Sequence, residues 1–550
     1  MNVLKKMSGA ARETTVRTRV WLAAESLCVL VGATLVIAVL VALGGANRDL
    51  RGDQEELNLI VEKRLHPEIL PRDALYASPT IRLYTPSFLA LQTTTSRWVG
   101  GDPVVALRIL IWPFGVVFLV GHYVFFRSLT GNPVAAALGA ISGLTVRNAL
   151  GGEYWGFDGL RAIQPRSIVN GLTPLFLLLF LRWRERRYFP LYFFGLGVLL
   201  NIHPVGSFHL AQVTGAGHLW LDRFRLRAWR QITAGTLFFV AGALPLAFVI
   251  YGGREHVTDP GALAEVRAGL DYRFPYTFYP ISAESLVSVT IHVALLVGAA
   301  AWLLWRRAAG TDLRQLLLLA AIAVLLGLGG TAIIQAVGLL SERPYIDILQ
   351  MRAVKLAYPI LLAALAALYA HLLSDASMRA RIAVAGLFLL SLVPPEAVIH
   401  AASDEHRDAI KRALGIRVAV RVETAAAAPM PRALVEWTQA STPRDALFFT
   451  DLNDFRANAR RSITGTYKDG GWLYLGGSRP FHAWYVYMRE IDCCRAVAGR
   501  DCWFQLALRY HTDYVVVDPG VSHATPSADF VPAWVHGGWS VWQRQRVGPR

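Results

Sequence analysis

The run "SLCVLVGATLVIAVLVALGG", residues 26–45, carries no charge and is long enough to cross a bilayer. A hydrocarbon core about 30 Å thick takes about 20 apolar residues as a helix, because backbone N–H and C=O groups inside lipid must satisfy one another. Such runs recur along the chain, and helices are expected near 20–44, 104–126, 132–148, 167–182, 188–202, 205–221, 231–251, 284–305, 314–339, 355–374 and 380–400. The expectation is therefore an α-helical polytopic membrane protein of about eleven transmembrane helices. Composition agrees: 54% of residues are hydrophobic and 17% charged, against about 25% charged in soluble domains. The first apolar stretch runs past the roughly 7–15 residues of a signal-peptide core, so a retained helix is expected after a basic cytoplasmic N-terminus at 1–19.

The net charge of +16 is concentrated in linkers, "RWRERR" (182–187), "RFRLRAWR" (223–230), "WRRAAGTDLR" (305–314) and "SMRAR" (377–381). That placement is a topology signal and a source of headgroup contact; it does not indicate nucleic acid as a partner. With the N-terminus inside, these linkers fall on the cytoplasmic face of a plasma (inner) membrane. A transmembrane domain at 20–401 then carries a long first outer loop (45–103), and 402–550 follows as an extracytoplasmic α/β domain. In that tail, "LVEWTQASTPRDALFFTD" reads as helix, turn and buried strand, while "RSITGTYKD", "TDYVVVDPG" and "WSVWQRQR" read as strands. In an oxidising compartment, Cys493 or Cys494 is expected to pair with Cys502, whereas Cys28 is an apolar filler of the first helix.

The densest carboxylates follow the first crossing, in "RGDQEELNLIVEKRLHPEILPRD" (51–73). Leu57, Ile60, Val61 and Leu65 repeat at helical spacing, so Glu62, Lys63, Arg64 and Glu68 read as the solvated face of an amphipathic helix. Asp53 reads either as a helix cap, with Glu56 three residues on, or as a catalytic base beside Glu55 and Glu56. In "GGEYWGFDGLRAIQPRSIVNGL" (151–172), Glu153 and Asp158 lie in an outer loop and Arg166 opens a helix, where free N–H groups and the guanidinium attract phosphate; an arginine snorkelling to the interface is the plainer alternative. Asn201 and His203 stand at a helix break before Pro204, facing either a cavity or a partner helix. Arg343, Arg352 and Lys355 stand at the outer end of a late helix, where a lipid phosphate or a carboxylate from another loop would compensate them. No phosphate loop, H-E-x-x-H or G-x-S-x-G motif is present, and a divalent metal is supported by no ligand motif.

"RGDQEE", "QPRSIVNGLTPLFLLLFLRW" with "FFGLGVLLNIHP", "ILQMRAVKLAYPILLAALAAL", and the tail segments "WTQASTPRDALFFTD" and "RRSITGTYKDGG" together resemble the polytopic C-type glycosyltransferase superfamily. The resemblance spans nearly the whole chain. It implies sugar transfer, with inversion, from a polyprenyl-phosphate donor lipid to a glycan, lipid or protein acceptor outside the cytoplasm. It implies Asp53 as the base, with Glu55 and Glu56 as substitutes, and Arg352 and Arg166 on the donor phosphate. The double-acid pair of the oligosaccharyl and protein-mannosyl branches is only approximated by "DQEE". Two other readings stand beside it: a transporter or lipid flippase with a path through Glu25, Arg108, His122, His292 and Gln335, and a non-catalytic scaffold. A repeat of the 50–200 region, as many transporters would show, is not found.

Overall fold

The computed structural model describes residues 24–42, 53–77, 85–146, 148–149, 152–153, 163–251, 255–273, 283–340, 350–392, 430–496, 502–521 and 526–545. Helix α1 (Ala24–Ala42) precedes α2 (Asp53–Leu65), α3 (Ala74–Ala77) and α4 (Pro86–Trp98) of the first loop. Then come α5 (Pro103–Thr130), α6 (Pro133–Thr145), the two-residue strands β1 (Asn148–Ala149) and β2 (Gly152–Glu153), and α7 (Pro165–Trp183). The apolar helices continue with α8 (Phe189–Leu200), α9 (Pro204–Leu221) and α10 (Leu226–Tyr251). After α11 (Pro260–Arg273) follow α12 (Ala283–Trp305), α13 (Thr311–Leu340), a 3-10 segment (Gln350–Leu356), α14 (Ala357–Leu373) and α15 (Met378–Leu392).

Every apolar run marked in the sequence contains a helix. Among the described residues five helices meet both length and hydropathy for crossing a membrane: Ala24–Ala42, Pro103–Thr130, Leu226–Val249, Thr311–Ile333 and Gln350–Leu373. Their outward side chains, such as Leu35, Leu237, Phe248, Leu325 and Ile333, are large, apolar and exposed, which suits contact with lipid.

The starts of these helices are written locally. Asp102 accepts from the Val104 and Val105 N–H groups at the head of α5, and Asn132 does the same for Val134 and Ala135 at α6, each with proline in the first turn. Glu25 of α1 is tied to Arg127 Nε (2.8 Å) and the Tyr123 hydroxyl (2.5 Å) of α5. His122 is buried, with Nδ1 at 2.8 Å from the Phe118 carbonyl oxygen. Two residues of the transport path are thus spent on helix packing.

The tail contains α16 (Arg432–Ser441), β3 (Leu447–Phe449), α17 (Phe455–Ala459), β4 (Ser462–Ile463), α18 (Asp469–Leu473), α19 (Ser478–Ala496), α20 (Cys502–Arg509), β5 (Tyr514–Val517), β6 (Phe530–His536) and β7 (Trp539–Arg544). The strands form one mixed sheet in the order β4-β3-β5-β7-β6, parallel from β4 to β5 and antiparallel beyond. "RSITGTYKD", expected as a strand, supplies only the two residues of β4 before the chain turns into α18. Cys494 is bonded to Cys502 across Cα atoms 5.5 Å apart, leaving Cys493 exposed.

This domain rests on the first loop and on α11. Tyr467 Oη donates to the Tyr272 and Arg273 carbonyl oxygens, both at 3.0 Å, and His482 meets Glu265 at 2.6 Å. Arg456 is buried between Asp73 (2.6 Å) and Asp469 (2.7 and 2.6 Å). Asp73 also accepts from the Ile463 N–H at 3.0 Å. At the far end of the helices, Arg227 and Gln231 donate to the Glu185 and Arg186 carbonyl oxygens, so two of the basic linkers lie side by side there.

Candidate functional site

Helix α2 is not the solvated amphipathic helix its spacing suggests, although Arg64 is half-buried and Glu68, just past its end, is exposed as expected. Every residue from Gln54 to Lys63 is buried, the charged ones included. The reason is that α2 is enclosed by α4, α5 and α17, and its charges are matched from outside the helix. Glu62 meets Arg460 at 3.1 Å, although burial still holds its carboxyl above the usual range. The Lys63 ammonium donates to the Pro67 carbonyl oxygen at 2.8 Å and also to that of Ile69.

At the head of α2, the Asp53 carboxylate accepts from Arg166 Nη2 at 3.1 Å. Arg166 stands in the first turn of α7 after Pro165, its Nε donating to the Gln164 amide oxygen and its position steadied by a Gln164 N–H bond to Ser167 Oγ (3.4 Å). The guanidinium is 16% exposed and the Asp53 carboxylate 59%, so the pair opens outward on the acid's side.

Arg352 and Lys355 arrive on the 3-10 segment that runs directly into α14, at the end of the helix where the sequence had placed them. That segment presses on α13: a Cβ on Gly327 would lie 2.4 Å from Val354 Cγ2, and one on Gly330 2.6 Å from Gln350 Cγ. Only glycines permit this approach. Lys355, Arg352, Arg166 and His209 all act electrostatically on the buried His203 imidazole. His203 itself caps α9, its Nδ1 accepting from the Gly206 N–H at 3.1 Å.

Asn201 takes the partner-helix alternative. It inserts into the ladder of α10 one residue beyond Pro245, donating to the Gly242 carbonyl oxygen (2.9 Å) and accepting from the Leu246 N–H (2.8 Å). The amide thus repairs a helix step next to a proline, the partner-helix alternative for this residue. Glu153 falls in β2, whereas Asp158 and Arg343 lie outside the described residues.

The acidic side includes a residue that sequence reasoning did not single out. Lys468 of the tail domain reaches the Glu55 carboxylate at 3.2 Å. Burial works against its ammonium, yet Glu56, Glu55 and Asp53 together hold Lys468 above its ordinary value. Glu56 is 3% exposed, and among the described residues its Oε2 finds no hydrogen-bond partner. Burial raises the Glu56 carboxyl to about 8, with Glu55 and Asp53 adding to the effect and Lys468 opposing it.

Between about pH 4.5 and 8 the folded chain keeps a proton that the unfolded chain releases, so stability is lost as pH rises through that window. One such proton amounts to about 1.4 kcal/mol per pH unit. Glu56→Gln is expected to flatten this part of the dependence of melting temperature on pH. An unchanged slope in the variant would remove Glu56 as its source.

A separate groove beside the disulfide, lined by residues including Glu265, Arg489, Glu490 and Arg509, contains no member of this cluster. Among the described residues, no group of three or more His, Cys, Asp or Glu side chains is placed to hold a metal ion. What the cluster offers is one accessible carboxylate in contact with the Arg166 guanidinium, with the buried Glu56 carboxyl and the Lys468 ammonium alongside. Searches find no family model and no curated protein that matches the chain.

Proposed function

We propose that the chain is a membrane glycosyltransferase that moves a sugar from a polyprenyl-phosphate donor to an acceptor outside the cytoplasm. The observation that carries this reading is the Asp53–Arg166 contact, because it joins a carboxylate of the first loop to one of the cations whose charges act on His203. In this reading about eleven crossings, an inside N-terminus and an outside tail put the first loop, α11 and the 3-10 segment on one face of the plasma membrane. The docking of α2 and α11 on the tail domain supports a shared face.

The chemistry is a direct displacement. The acceptor oxygen forms a bond to the anomeric carbon as the bond from that carbon to the phosphate oxygen breaks. The acceptor proton passes to Asp53, and the electron pair leaves with the polyprenyl phosphate, whose charge Arg352, Arg166 and Lys355 stabilise. Inversion needs one base and one stabilised leaving group. An arriving phosphate competes with Asp53 for Arg166, so donor binding itself releases the base. The lipid tail of the donor gives a reason for this reaction to sit among apolar helices.

The test is mass spectrometry of lipids copurified with the full chain, combined with release of polyprenyl phosphate from synthetic decaprenyl-phosphate hexoses and pentoses. The wild type is expected to retain such a lipid and to turn over at least one donor. Arg352→Gln should retain about tenfold less, the order of one charge-assisted phosphate contact. A wild-type chain that retains no polyprenyl lipid and cleaves none of the donors overturns the proposal.

A further inference from the structure

We infer that Glu55, Glu56 and Lys468 form a binding site for an uncharged, hydroxyl-rich ligand, a saccharide, at the seam between the first loop and the tail domain. The identification of that ligand with the acceptor rests on the proposed transfer reaction; the site itself does not.

Three observations carry the inference. Glu56 is buried, yet its Oε2 is unmatched among the described residues, although a buried polar atom without a partner is costly to maintain. Its neighbours form a compensated pair: the Lys468 ammonium and the Glu55 carboxylate meet at 3.2 Å. The edge is open, since Lys468 is 27% exposed and the adjoining Asp53 is 59% exposed.

The charge count separates this end from its neighbour. Glu55 and Lys468 cancel, and Glu56 carries its proton at neutral pH, so the trio has no net charge. An anion gains nothing from it. A carboxyl that donates and accepts, an ammonium that donates and a carboxylate that accepts are together suited to a ligand that does both at every oxygen, as a sugar does. The cationic end is different: Arg166, which meets Asp53, and Arg352 and Lys355, which with it act on His203, bring three positive charges, which favours phosphate. The two ends meet at Asp53, the point where a hydroxyl from one would attack a carbon held by the other.

The second segment matters because neither builds the site alone. Lys468 precedes Asp469, which is clamped by Arg456, and Arg456 is clamped in turn by Asp73 of the first loop. The tail domain is therefore a supplier of ligand contacts, placed by a buried ion network.

The experiment uses the full chain in nanodiscs and saturation-transfer NMR with methyl α-mannopyranoside, methyl β-glucopyranoside and methyl α-arabinofuranoside, with inorganic phosphate as the anionic probe. At least one glycoside is expected to bind. Lys468→Met and Glu56→Leu should each weaken it by about tenfold or more, while Glu56→Gln, which keeps a donor and an acceptor, stays within about threefold. Phosphate binding should follow Arg352→Gln and not Lys468→Met. The inference is overturned if no glycoside binds, or if Lys468→Met and Glu56→Leu melt like the wild type and bind it equally well. Glycoside binding with these sensitivities, in a chain that cleaves no polyprenyl donor, sustains this site and removes the transfer reaction.

Discussion

An Arg456→Met variant is expected to lose about 3–5 kcal/mol of stability, the usual cost of stripping one partner from a buried ion pair. The guanidinium is 2% exposed and serves two carboxylates, with both bonds to Asp469 and one to Asp73 between 2.6 and 2.7 Å. It also lies over the Tyr76 ring, 5.6 Å from its centroid. Burial already pushes the Asp73 carboxyl upward, and Arg456 is the group that opposes it. Without Arg456, the Asp73 charge is left to the neutral Ile463 and Leu75 N–H groups. The first loop and the tail domain share this network, so its loss should open their seam before the helices melt. Limited proteolysis is the direct readout, with the variant cut faster than the wild type within the first loop and the tail domain. Equal proteolysis and equal melting temperatures would show that the seam is held elsewhere.

Asp53→Asn is expected to lower kcat for sugar transfer by about 10²–10⁴-fold, the range for removal of a positioned base. Expression and folding should survive, because the carboxylate is 59% exposed and its pair with Arg166 is of the kind that contributes about 1 kcal/mol at most. The informative quantity is how the loss divides between kcat and KM. If Asp53 takes the proton, the donor KM stays level or falls, since Arg166 is released to the phosphate. If Asp53 only orients Arg166, then Asp53→Asn and Arg166→Gln should share a defect in donor KM with kcat nearly intact. Wild-type turnover in Asp53→Asn removes this residue from the mechanism.

Much of the architecture was legible because hydropathy is a local property. Each apolar run became a helix, and the Asp102 and Asn132 caps mark starts that can be read letter by letter. The short strand at Ser462–Ile463 was overread, because "RSITGTYKD" has strand-forming residues but its second half folds into the loop that carries Lys468. The charged face of α2 was misread for a related reason: spacing distinguishes polar from apolar positions, but it does not distinguish water from a partner ion. Glu55, Glu62 and Asp73 find theirs on Lys468, Arg460 and Arg456, each roughly 400 residues along the chain.

The sequence by itself determined a succession of apolar helices, five of them among the described residues of membrane length, a separate folded tail, a concentration of acids after the first apolar run and an arginine at a helix start. Tertiary structure alone decided that Asp53 and Arg166 touch, that Asn201 mends a helix, and that the tail domain contributes Lys468. The physical reason is range. Backbone satisfaction and burial of apolar side chains act over one helical turn and leave a periodic trace. The choice of partner for a buried charge is made across the folded molecule and leaves no pattern in the letters around it.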